Sequence, residues 1–126
     1  MKQKKILIVD DEPNIVMSLE YAFKKKDFEV FIARDGTEAL EIAEKERPDL
    51  VLLDIMMPEM DGYETLKQVR GNKELMHTKV VFLSAKSKEK DIEKGLKMGA
   101  DSYLTKPFSI KKIISDIEGL LARDQD

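Results

Sequence analysis

The sequence predicts a doubly wound α/β domain: a five-stranded parallel sheet with helices on both faces. Three observations point there. Ile6-Leu7-Ile8-Val9, Leu50-Val51-Leu52-Leu53 and Val80-Val81-Phe82-Leu83 are continuous apolar runs, the pattern of strands covered on both sides. Helical stripes lie between the runs, so strand and helix alternate five times with short connections, which gives a parallel sheet with right-handed crossovers. The length of 126 residues suits one domain with one core, expected over about 5–122. No linker, repeat or low-complexity tract divides it.

The elements follow in order. After the first run, Ile15, Leu19, Ala22 and Phe23 fall on one face of a helix. The stretch from Phe28 to Ala33 carries Glu29 and reads as an edge strand. Asp35-Gly36-Thr37-Glu38 has capping-box spacing and opens a second helix through Arg47, stopped by Pro48. Beyond the third strand, residues 62 to about 71 make a helix with Tyr63, Leu66 and Val69 on one side. A fourth helix runs from Lys88 to Lys97 and ends near Gly99. Ser102-Tyr103-Leu104 is short and half polar, the second edge strand. Ile110, Ile113, Ile114, Ile117, Leu120 and Leu121 then form the clearest apolar stripe of the chain.

Composition narrows the function classes. Charged residues are 37% and hydrophobic ones 42%, so the chain is neither membrane-embedded nor disordered in composition. No apolar stretch approaches the roughly 18–20 residues of a spanning helix. Lys2, Lys4 and Lys5 precede an apolar run that stops at Asp10, too short for a signal peptide. Without cysteine there is neither a disulfide nor a thiolate metal site. A soluble, cytoplasmic protein is expected. A net charge of −3 argues against a nucleic-acid surface. The lysines at 24–26 and Lys86, Lys88 and Lys90 read as solvated helix ends, and His77 as a surface loop histidine.

In a doubly wound sheet, ligands bind beyond the carboxyl ends of the strands. The residues just after the apolar runs there are Asp10 and Asp11, Asp54, Ser84 and Ala85, then Thr105, Lys106 and Pro107. Singly, such an aspartate is as often a helix N-cap, and such a serine or lysine a turn or surface residue. Together, three carboxylates at one sheet end repel one another unless something cationic joins them. A hard divalent ion such as Mg²⁺ suits that set, and with Lys106 the formal charges sum to zero. The same inventory suits phosphoryl transfer, in which a carboxylate can be the nucleophile.

In these motifs the chain resembles the receiver domain of two-component response regulators. They are Val9-Asp10-Asp11-Glu12, the stretch from Asp54 through Pro58 to Gly62, Leu83-Ser84-Ala85-Lys86, and Tyr103-Leu104-Thr105-Lys106-Pro107-Phe108. The resemblance runs from Ile6 to about Leu121 and implies a flavodoxin-like fold with strand order 2-1-3-4-5. It further implies that Asp54 accepts a phosphoryl group from a phosphohistidine of a histidine kinase or histidine phosphotransfer protein. Asp10, Asp11, Asp54 and the carbonyl of Met56 would hold Mg²⁺. Ser84 would hydrogen-bond the phosphoryl group, Ala85 would leave room for it, and Lys106 would pair with it. Pro58 and Gly62 would shape the loop after Asp54, and Lys106–Pro107 would be the cis bond usual in the family. Tyr103 would turn inward as Ser84 moves, passing the signal to the face of the fourth helix, fifth strand and fifth helix. Met56 and Lys86 hold the positions that set the lifetime of the phosphorylated state.

Two rivals share parts of this pattern. A haloacid-dehalogenase-like phosphatase also uses a strand-end aspartate with Mg²⁺, but wants a second aspartate where Met56 stands. A dinucleotide module needs a glycine-rich first turn, whereas Asp10-Asp11-Glu12-Pro13-Asn14 would repel a phosphate. The output is either a downstream protein or a covalently linked effector domain, with no direct nucleic-acid or membrane binding by this chain. Winged-helix regulators of the family tie a phosphorylation-dependent dimer through an acidic pair before the tyrosine and a Glu and an Arg on the last helix. Ser102, Lys112 and Asp116 stand at such positions here, so a dimer through that face would need other pairs. Lys112 and Asp116, four apart, suit each other on the helix.

Overall fold

Every residue from Leu50 to Asp54 is buried, because helices close both faces of the sheet to which this strand is central. The computed structural model describes residues 3–55, 61–86 and 88–122. Its elements are β1 (Lys5–Val9), α1 (Pro13–Lys25), β2 (Glu29–Ala33), α2 (Gly36–Glu46), β3 (Leu50–Asp54), α3 (Gly62–Arg70), a 3₁₀ turn (Lys73–Leu75), β4 (Lys79–Ser84), α4 (Glu89–Lys97), β5 (Ser102–Thr105) and α5 (Ile110–Ala122). The five strands are parallel in the order β2-β1-β3-β4-β5, as expected. The two polar strands are indeed the edges.

Alternation along each strand divides the core in two. Ile6, Ile8, Leu50, Leu52, Val81 and Leu83 face one way, onto Leu19 and Phe23 of α1 and Ile113 and Ile117 of α5. Leu7, Val9, Val51, Leu53, Val80 and Phe82 face the other, with Ala39 and Ala43 of α2 and Leu66 and Val69 of α3. Burial of large aliphatic side chains stabilises by about 1.5–3 kcal/mol each, so these layers hold the strand ends in place.

Local chemistry sets the helix ends. Asp35 Oδ1 accepts from the Glu38 N–H at 2.9 Å, the capping bond expected at the start of α2. Asp61 Oδ1 caps α3 in the same way through the Glu64 N–H at 3.0 Å. The second helix stops one residue short of expectation, because Arg47 takes a left-handed conformation ahead of Pro48. The 3₁₀ turn was not foreseen: its one buried apolar residue, Leu75, is too little to show a period. Arg70 fastens this end of the sheet, donating to the carbonyls of Gly99 (3.0 Å) and Thr78 (2.8 Å) and to Asp101 Oδ2 (2.8 Å). Lys112 and Asp116 do pair, at 3.2 Å. Among the described residues, no helix is long and apolar enough to cross a membrane.

Candidate functional site

Strand register brings the candidate residues together. Ile8 pairs with Leu52 and Val9 with Leu53, so one further step sets Asp10 beside Asp54. Asp54 pairs with Leu83, immediately before Ser84, and Ser84 pairs with Thr105, immediately before Lys106. With strands about 4.8 Å apart, the four side chains fall within reach of one rim. Three residues so assembled are buried: Asp10, Asp54 and Ser84.

Burying two carboxylates is costly unless a cation joins them. Lys106 does so, its Nζ lying 3.4 Å from Asp10 Oδ2 and 3.6 Å from Asp54 Oδ2. A third acid, Glu12, approaches the same ammonium at 3.2 Å. Burial raises the Asp10 carboxyl above its ordinary value of 3.8, although the Glu12 N–H (2.9 Å) and Lys106 oppose the rise. For Lys106, burial alone would lower the pKa, but Asp54, Asp10 and Glu12 outweigh it and the group is held above 10.5. Lys106 is therefore a fixed positive charge at neutral pH.

The sequence expectation needs two qualifications here. Asp10, Glu12 and Asp54 can each bring one oxygen within 4.8 Å of the others, a set of hard donors that fits a small divalent cation. Glu12 was not singled out, and Asp11, which was, is exposed and not in that set. Met56 and Pro58 lie outside the described residues.

Gly62 explains how α3 can start so close to the acidic pair. A Cβ there would lie 2.7 Å from both the Asp54 carbonyl oxygen and the Ile55 Cα, backbone atoms that cannot yield. Its N–H donates to the Ile55 carbonyl at 2.9 Å, so α3 is tied to the end of β3. The Lys106–Pro107 bond is cis, as expected.

On the other side of the site, one residue is held from two directions. Ser84 Oγ accepts the Lys86 N–H at 3.0 Å, and Tyr103 Oη donates to the Lys86 carbonyl at 2.7 Å. Ala85 between them is exposed. The Tyr103 ring is half-buried, edge-on to Phe82 at 5.9 Å, and Phe82 meets Tyr63 likewise at 5.6 Å. Burial raises the Tyr103 phenol, against the pull of Ser84 and with a further rise from Asp91, so it stays a hydrogen-bond donor. Helix α4 lies over this ladder with only Gly95 buried.

Comparison with known proteins agrees with this geometry. The family model described as "Response regulator receiver domain" matches residues 6–118. The chain is 46% identical over 122 residues to the alkaline phosphatase synthesis transcriptional regulatory protein PhoP of Bacillus subtilis, covering 97% of this chain and 50% of that protein. The chain thus spans about half the length of that relative. Among solved structures, the receiver domain of the Francisella response regulator 1452 superposes with a TM-score of 0.90 at 36% identity, covering 97% of this chain and 99% of that one. The chemotaxis response regulator CheY4 of Vibrio cholerae superposes with a TM-score of 0.88 at 31% identity, covering 93% and 98%.

Proposed function

Because the chain belongs to the response regulator receiver domain family, we propose that it is a phosphorylation-operated signalling switch whose acceptor is Asp54. The observation that carries this is the single ammonium of Lys106 held between Asp54 and Asp10 at the strand ends. In the transfer, an Asp54 carboxylate oxygen attacks phosphorus as the P–N bond of a phosphohistidine breaks. The imidazole leaves with the electron pair, and Asp54 becomes an acyl phosphate. Lys106 pairs with the new phosphoryl oxygens, Ser84 donates to one of them, and the small Ala85 leaves them room.

Asp10 and Asp54 are the buried carboxylates that would hold Mg²⁺, with Asp11 and the Met56 carbonyl as the further donors the family resemblance implies. When bound, the ion would neutralise charge on the phosphoryl oxygens. Phosphorylation adds about −1.5 to −2 charges and three strong acceptors. A Ser84 hydroxyl that turns to them gives up the Lys86 N–H, which loosens the peptide on which Tyr103 rests. That links the acceptor to α4, held only lightly, and so to the α4-β5-α5 face. The donors in this reading are a histidine kinase or a histidine phosphotransfer protein, in the cytoplasm. The output is a downstream protein or a linked effector domain, through a partner contact or a phosphorylation-dependent dimer.

The test is intact mass after incubation with acetyl phosphate and Mg²⁺. One added phosphoryl group is expected on the wild type, none with EDTA, and none on Asp54→Asn. Full labelling of Asp54→Asn would move the acceptor elsewhere and sink the reading.

A further inference from the structure

Glu12 occupies the N-cap of α1 yet makes no side-chain capping bond. Glutamate is a poor N-cap, and the helix start is served instead by Pro13 in its first turn. The Glu12 backbone is pinned through its N–H to Asp10 Oδ1 at 2.9 Å, which leaves the side chain to reach over the acidic site. There its Oε1 lies 3.2 Å from Lys106 Nζ, nearer than the oxygens of Asp10 and Asp54. The partners differ in burial: the side chain of Glu12 is 58% exposed, those of Asp10 and Asp54 only 2% and 4%.

We propose that Glu12 is a positioning residue that tethers Lys106 at the mouth of the site and slows the charging of Asp54. The inference rests on Asp54 being the acceptor. An ammonium has three N–H donors, and three carboxylates surround this one. A phosphoryl group on Asp54 adds acceptors, so Lys106 has to turn from one of its present partners. Letting go of Asp10 would strand a buried charge, whereas Glu12 is rehydrated at once when released. Glu12 is therefore the exchangeable partner.

The experiment follows phosphoryl uptake from acetyl phosphate with Mg²⁺, by intact mass over time. It uses the wild type, Glu12→Gln, Lys106→Met and the double variant, with folding of each checked by circular dichroism. Glu12→Gln is expected to raise the initial rate about two- to five-fold at low ionic strength, the range of an exposed ion pair. The gain should shrink in about 0.5 M salt, where screening is strong. It should vanish in the Lys106→Met background, the signature of action through Lys106. Mg²⁺ affinity, read from the thermal midpoint during Mg²⁺ titration, should fall by much less than tenfold, because the exposed Glu12 side chain is engaged by Lys106 while Asp10 and Asp54 are the buried carboxylates. An equal or lower rate in Glu12→Gln overturns the proposal, and so does the same gain without Lys106. A tenfold loss of Mg²⁺ affinity would make Glu12 a metal ligand and overturn it too. Absence of uptake by the wild type overturns the acceptor reading itself, a result distinct from uptake at equal rates.

Discussion

Asp10 shows the cost of a site built before its ligand arrives. Its carboxyl is raised by burial, so the folded state holds the proton more tightly than the unfolded chain does. A raised folded pKa gives stability that is present below the unfolded value and lost as pH rises through the folded one. At neutral pH and without metal, an ionised Asp10 therefore weighs against the fold, and Lys106 and the Glu12 N–H offset it in part. Asp10→Asn is expected to raise urea-unfolding stability in EDTA at pH 7, by an amount of the order of 1 kcal/mol. The advantage should shrink as pH falls toward the ordinary carboxyl range, where Asp10 is protonated in the wild type as well. A loss of stability in the variant would mean that Lys106 depends on the Asp10 charge more than the burial penalty weighs. Glu12, two residues on and with its side chain mostly in solvent, is placed to serve as the exchangeable partner of the same lysine.

Among the elements, α4 is the one whose attachment is least secure and most specific. Its single buried residue, Gly95, sits where a Cβ would be 3.0 Å from ring carbons of both Phe82 and Tyr103. Phe82 is fully buried and cannot move, so Tyr103 or the helix has to give. Alanine gains about 1 kcal/mol of helix propensity over glycine, while overpacking costs about 1–3 kcal/mol. Gly95→Ala is expected to lower the unfolding free energy by about 1 kcal/mol on balance. It should also shift the Tyr103 ring resonances in the NMR spectrum, because the ring is pushed off the Lys86 carbonyl. Unshifted resonances with a gain in stability would show that α4 moves outward freely and that its contact with Tyr103 carries no signal. The β4–α4 connection is thus held at Lys86 by hydrogen bonds to Ser84 and Tyr103, and the Tyr103 ring lies beneath Gly95 of α4.

For the molecule as a whole, a cation held at the acidic rim would link binding to folding. A ligand that binds only the folded state adds stability of RT ln(1 + [L]/Kd), about 2.7 kcal/mol at a hundred times Kd. Mg²⁺ should therefore raise the thermal midpoint of the wild type, with saturation, and should raise that of Asp10→Asn much less. Equal shifts in both would place the ion away from the strand ends. The effect should be felt throughout the domain, because β1, β3 and β4 carry the site residues and also form the centre of both core layers.

Short-range pattern alone accounts for part of this molecule. Continuous runs such as Leu50 to Leu53 declare a strand covered on both faces, and the polar residues of 28–33 and 102–104 declare the edges. Asp10, Asp54, Ser84 and Lys106 were legible because each ends or directly follows a strand, and parallel strands end on one rim. Three things were decided only by the tertiary structure. Glu12 meets Lys106 across 94 residues of sequence, and nothing near Glu12 says which way its side chain will turn. Asp11 and Asp10 are adjacent and chemically alike, yet the bend after β1 leaves one buried and the other exposed. Gly95 reads as an ordinary helix glycine until the rings of Phe82 and Tyr103 arrive from two strands to fill the space beneath it. Period and composition act within a few residues, whereas side-chain direction at a rim depends on register between strands that meet only when the chain has folded.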